Sequence, residues 1–127
     1  MYLGCLPLVY ALAGGEDSSD FEKARWEMVE NQIMHRGVSD MAVIAAMLTV
    51  PRHQFVPEHL RDKSYLDNPL AVGNDQTISQ PYIVALMTAL LQPRPGKRVI
   101  EIGTGSGYET AVLSKSGCER YTVEIIT

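Results

Sequence analysis

Three glycines alternate at Gly103, Gly105 and Gly107, directly after an apolar stretch, Val99 to Ile102, that carries one acid, Glu101. Residues of these types in this order read as a buried strand, a tight turn and a helix. Glycine lacks a Cβ, so the turn can fold sharply and a ligand can lie against bare main chain. In α/β sheets, the loop at the carboxyl end of a strand is where ligands bind. A second acid, Glu124, closes the next predicted strand, twenty-one residues after Gly103. An acid at that distance is placed to accept hydrogen bonds from ribose hydroxyls.

The spacing discriminates between nucleotide classes. A dinucleotide turn needs G-x-G-x-x-G or a closing alanine. Counting six positions from Gly103 reaches Tyr108, and from Gly105 reaches Thr110, so both starts fail. No Gly-Lys-Ser/Thr follows, which excludes a P-loop. Strand, acid and alternating glycines, with an acid ending the next strand, instead suit S-adenosylmethionine. That ligand has no phosphate and needs close backbone approach and a carboxylate for its ribose. The alternative for Glu124 is a solvated strand end.

A second constellation lies upstream, in Gln76-Thr-Ile-Ser-Gln-Pro81. Pro81 suits the first turn of a helix. Ser79 therefore falls at a helix start, where free N–H groups and the positive dipole end favour anions. On spacing alone Ser79 reads equally as a simple helix cap.

The elements that must position these groups follow from periodicity. Ser19-Asp20 precedes a helix with Trp26, Val29, Ile33 and Met34 on its apolar side, stopped by Gly37. Ser39 is placed to cap a second helix with Met41, Ile44, Ala45 and Leu48 on one face, ended by Pro51. Met28, Met34, Met41 and Met47 read as core filler. Residues 51–75 are irregular, punctuated by three prolines and a turn at Asp67-Asn68-Pro69. A helix from Pro81 carries a stripe of Ile83, Leu86, Met87 and Leu90. A strand at Val99–Ile102, a helix at Ser106–Ser116 and a strand at Tyr121–Ile125 then form a βαβ unit, with parallel strands and a right-handed crossover expected.

Composition sets the frame. The chain has 127 residues, 46% hydrophobic and 20% charged, with net charge −4, enough for one small globular domain. No basic surface suited to nucleic acid is evident. Cys5 and Cys118 form no C-x-x-C pair, and His35, His53 and His59 match no metal spacing, so no metal is expected. Residues 1–19 divide from the rest as an apolar arm and linker. Leu3 to Ala13 is too short to span a bilayer. Ala11-Leu-Ala13 resembles a leader cleavage site, yet no basic start precedes it, so a leader and a plain apolar arm both remain open. Residues 20–127 read as an incomplete domain, because two parallel strands cannot complete a doubly wound sheet.

With these motifs in view, the chain resembles the protein-L-isoaspartate (D-aspartate) O-methyltransferases. The resemblance runs from about residue 22 to 126 and rests on Met28-Val-Glu-Asn-Gln-Ile33, Arg36-Gly-Val-Ser-Asp40, Val50-Pro-Arg52, Phe55-Val-Pro57, Gln76-Thr-Ile-Ser-Gln-Pro-Tyr-Ile-Val-Ala85, Pro95-Gly96, Val99 to Tyr108 and Tyr121-Thr-Val-Glu124. The Thr77-to-Pro81 segment discriminates, since other methyltransferases share only the glycine loop. The resemblance implies a Rossmann-like, S-adenosylmethionine-dependent α/β fold with amino-terminal helices, here ending after the second sheet strand. It implies donor contacts from Gln76, Thr77, Ile78, Glu101, Gly103, Thr104, Gly105, Ser106, Gly107 and Glu124, with Ser79 as the active-site serine. The implied acceptor is the carboxylate of L-isoaspartyl residues in damaged proteins or peptides, which are repaired through a succinimide. No nucleic-acid or membrane partner is implied. A cytoplasmic location is implied, with export as the alternative if residues 1–13 form a leader. The alternative function is a non-catalytic remnant or interaction module of the same family. Two departures stand out: Asp75 replaces the family's usual glycine, and His53 replaces a common acid.

Overall fold

The structure, a computed structural model, describes residues 18–125. The expected apolar arm at residues 1–13 lies outside the described residues. Helix α1 spans Ser19–Met28. The Ser18 hydroxyl caps α1 by accepting from the Phe21 N–H at 3.5 Å. A π turn, Val29–Ile33, and a 3₁₀ turn, Met34–Arg36, continue it. Gly37 then stops the run in a left-handed conformation, φ 96°, and its N–H bonds to the Met34 carbonyl at 3.0 Å.

The π turn changes the facing of the helix. Its extra residue per turn breaks the 3.6 period, so Arg25, Met28, Val29 and Ile33 are buried while Trp26 and Met34 point outward. The expected placement of Trp26 and Met34 on the apolar side is therefore corrected.

Helix α2, Met41–Thr49, is capped by Asp40 rather than Ser39: Asp40 Oδ1 accepts from the N–H groups of Ala42 (2.9 Å) and Val43 (3.2 Å). It buries Val43, Ile44, Ala46 and Met47, and Met41 and Ala45 are exposed. Helix α3, Pro81–Leu90, buries Pro81, Val84, Ala85 and Thr88, while Ile83, Met87 and Leu90 are exposed. In both helices apolar residues surround the axis, so periodicity cannot select the buried face. Met28 and Met47 do fill the core, and Met34 and Met41 do not.

Residues 51–78 hold more order than expected. Short 3₁₀ turns at Arg52–Phe55 and Glu58–Lys63 lead into an antiparallel hairpin of β1, Leu70–Gly73, and β2, Gln76–Ile78. Its two-residue turn, Asn74-Asp75, has φ of 50° and 54°. Positive φ at both positions is the twist-matched geometry of tight hairpins.

Strand β3, Arg98–Ile102, and strand β4, Glu119–Val123, pair in parallel, Arg98 opposite Glu119 through Ile102 opposite Val123. Helix α4, Tyr108–Lys115, connects them and packs on α2 and α3. β4 thus begins two residues earlier than expected. One face of this pair is covered: Val99 packs with Leu113 and Cys118. The other presents Ile100, Ile102, Tyr121 and Val123 to solvent, the first two 66% and 82% exposed. Parallel pairs normally have both faces covered, and among the described residues this one does not.

Candidate functional site

The hairpin strand β2 and the glycine loop, distant in sequence, meet at one cleft. It is lined by Thr77, Ile78 and Ser79 on one side and by Gly103, Thr104, Gly105 and Ser106 on the other. Glu101, Tyr108, Glu109 and Val84 complete the wall. Of the residues singled out from sequence, Gln76, Gly107 and Glu124 do not line it. Gln76 opens β2, Gly107 caps α4, and Glu124 acts through the loop.

The loop is built for close approach. Gly103 and Gly107 have φ of 84° and 83°, a backbone that side chains rarely adopt, and a Cβ at either would meet nothing within 4 Å. Open space on the missing side-chain side is what a ligand against bare backbone requires. The loop is held from beneath. The Gly103 N–H bonds to the Val123 carbonyl at 2.7 Å, and the Thr104 and Thr122 hydroxyls bond to each other. The Glu124 carboxylate accepts from the Gly105 N–H at 2.9 Å. Ser106 Oγ accepts from the Tyr108 N–H at 3.3 Å, which begins α4.

Two acids give the cleft a negative wall. Glu101 is buried on β3, and the Thr110 hydroxyl donates to its Oε2 at 2.5 Å. Burial raises its pKa, against the lowering effect of that hydrogen bond. Glu109, half-buried in the first turn of α4, is raised by burial as well. The sequence signalled Glu101 through its place in the strand, but Glu109 went unnoticed because a helical glutamate usually faces solvent. Carboxylates against bare backbone fit a cationic sulfonium ligand. The cleft encloses about 70 Å³, well below the several hundred of a whole small-molecule site. A cleft of this size could enclose only one end of such a ligand.

Ser79 is exposed on the opposite wall, and its hydroxyl makes no hydrogen bond among the described residues. It does not cap α3. The N-cap is Gln80, without a side-chain cap bond, so the first N–H groups of α3 stay available beside Ser79.

His53 is buried. Its ring stacks on Phe21 with centroids 4.0 Å apart, and Nδ1 lies 2.9 Å from the Tyr65 hydroxyl. It is a packing residue outside the cleft. Among the described residues no cluster of His, Cys, Asp and Glu could hold a metal, and no helix is long and apolar enough to cross a membrane.

The sequence profile of the protein-L-isoaspartate(D-aspartate) O-methyltransferases matches residues 23–126. The chain is 53% identical over 114 residues to a protein-L-isoaspartate O-methyltransferase of Pelotomaculum thermopropionicum, covering 88% of this chain and 50% of that protein. It is 57% identical over 106 residues to one of Desulfosudis oleivorans, covering 84% and 48%. The chain thus spans about half the length of the curated relatives it matches. Among solved structures, a protein-L-isoaspartate O-methyltransferase superposes with a TM-score of 0.64 at 32% identity, over 82% of this chain and 33% of that one. A candidate protein-L-isoaspartate O-methyltransferase of Plasmodium falciparum, in complex with S-adenosyl-L-homocysteine, superposes with a TM-score of 0.65 at 26% identity, over 84% and 50%.

Proposed function

The chain belongs to the protein-L-isoaspartate(D-aspartate) O-methyltransferase family, and from that premise we propose that it supplies the donor loop and acceptor segment for methyl transfer from S-adenosylmethionine to the side-chain carboxylate of L-isoaspartyl residues. One observation carries the reading: Thr77–Ser79 and Gly103–Ser106 face each other across one cleft. Generic glycine loops do not come with that opposing segment.

When bound, S-adenosylmethionine supplies an electrophilic methyl on a positively charged sulfur. The acceptor carboxylate is already ionised at neutral pH, its free pKa being about 4, so no residue of the chain need act as a base. The work of the chain is orientation and water exclusion. Ser79 Oγ and the free amides at the start of α3 hold the acceptor carboxylate. Glu101 and Glu109 favour a cation on the other wall. Glu124 shapes the loop through Gly105 and is the acid that the strand-end position assigns to a ribose. Gln76 to Ile78 place Ser79, and Gly103 to Gly107 cradle the donor. A protein-repair role in the cytoplasm is the setting that this chemistry suits. Export replaces it if residues 1–13 prove to be a cleaved leader.

The test uses a labelled methyl donor with an isoaspartyl peptide and its aspartyl twin. It is run on this chain and on the Pelotomaculum thermopropionicum relative carrying residues 22–126 in place of its own matching segment. Label on the isoaspartyl peptide alone supports the reading. Binding of S-adenosylhomocysteine with no label from either protein identifies a non-catalytic module instead.

A further inference from the structure

Arg52 is the largest fully buried side chain among the described residues and does not line the cleft. Its Nε donates to the Ser64 carbonyl and its Nη2 to the Ser79 carbonyl, each at 2.7 Å. Its guanidinium carbon sits 4.8 Å from the centre of the Tyr108 ring. No carboxylate pairs with it among the described residues, and Nη1 has no hydrogen-bond partner.

Burying a guanidinium without a counterion is expensive, and an apolar side chain of similar volume would fill the space at lower cost. The desolvation is visible as a lowered pKa. What an apolar side chain could not do is join two walls. Ser79 and Tyr108 both line the cleft, one on the acceptor side and one at the end of the glycine loop. Arg52 grips the first by a charged hydrogen bond and the second by its π face. Turning the Ser79 carbonyl inward fixes the peptide plane that follows it. That sets the direction of the Ser79 side chain and of the first α3 amides.

We propose that Arg52 is a positioning residue that ties the acceptor segment to the donor loop from behind the cleft, through the Ser79 carbonyl and the Tyr108 ring. The catalytic sense of this assignment rests on the proposed methyl transfer, but the tie itself is testable without it. Arg52→Met removes charge and fork, and Arg52→Lys keeps the charge while losing the planar fork.

The ligand-free test is hydrogen exchange on the whole chain. In Arg52→Met, amides in residues 76–84 should exchange at least tenfold faster, with residues 98–102 and 119–123 within twofold of the parent. Uniform acceleration, or no change at 76–84, overturns the proposal. Should Arg52→Met fail to fold, Arg52→Lys is read in the same way. If neither variant unfolds cooperatively, Arg52 is a general anchor of the fold and the proposal falls.

The second test reads function. Arg52→Lys should raise KM for an isoaspartyl hexapeptide at least fivefold, leaving the S-adenosylhomocysteine dissociation constant within twofold. A kcat that falls only in proportion to the loss of S-adenosylhomocysteine-binding sites, at unchanged KM, marks fewer folded molecules and overturns it. If the parent chain methylates no isoaspartyl peptide, the functional reading is lost, and hydrogen exchange still decides the role of Arg52.

Discussion

The Glu124 carboxylate accepts a hydrogen bond from the Gly105 N–H at 2.9 Å, so the residue just past β4 holds the middle of the glycine loop that follows β3. The two strands are already paired in parallel, and this bond joins their carboxyl ends. A side chain expected only to receive a ligand therefore also shapes the glycine loop.

Glu124→Ala should weaken binding of S-adenosylhomocysteine about tenfold or more, since a hydrogen bond to a charged group is worth roughly 1.5–3 kcal/mol. Titration calorimetry checks this. Unchanged affinity would remove Glu124 from the donor site.

Ser79→Ala should lower turnover on an isoaspartyl peptide by about ten- to a hundredfold, on the same scale for a hydroxyl meeting a carboxylate. Donor affinity should stay within about twofold, because Ser79 lies on the opposite wall. Equal losses in turnover and donor binding would count against the assigned role.

Asp75 sits at φ 54° in the hairpin turn after Asn74. Asp75→Gly creates Asn-Gly, the favoured pair for two positive φ values. Relief of backbone strain should stabilise the chain by about 1 kcal/mol. A rise in Tm of about 4 °C is expected for a domain of this size. A fall in Tm would show that the aspartate side chain makes a compensating bond.

The pH dependence of stability should carry the mark of Glu101 and Glu109. Both have pKa values raised by burial, so the folded state holds their protons more tightly than the unfolded chain does. Stability from this source is present at low pH. It is lost as pH climbs from the ordinary glutamate range through the raised values, and is constant above them. Glu101→Gln should raise Tm at pH 8, flatten this slope and weaken donor binding. Thermal melts between pH 4 and 8 check it, and an unaltered slope would exclude Glu101 as its source.

Much of the site was legible because its signals are local. The turn at Gly103–Gly107 depends on residues that tolerate positive φ, and the helix start at Pro81 depends on a fixed φ without an N–H. Both are properties of single residues. Asp75 was marked only through the resemblance, as an aspartate where the family usually has glycine, and its positive φ comes from the structure.

The buried faces of α1, α2 and α3 were not legible. α2 and α3 are apolar around their circumference, and a π turn in α1 shifts the phase, so burial was set by neighbours distant in sequence. Arg52 was visible only as part of Val50-Pro-Arg52. Its grip on Ser79 and Tyr108 exists because three separated segments pack together.

By itself, then, the order of residues determined the glycine loop, the parallel β3–β4 unit and the anion-favouring start of α3, since each follows from backbone preferences over a few positions. Tertiary structure alone decided that Ser79 faces Gly103–Ser106, that Glu109 joins Glu101 in the wall, and that a guanidinium with no carboxylate beside it among the described residues stands behind both sides. Those relations depend on long-range packing, which no local preference encodes.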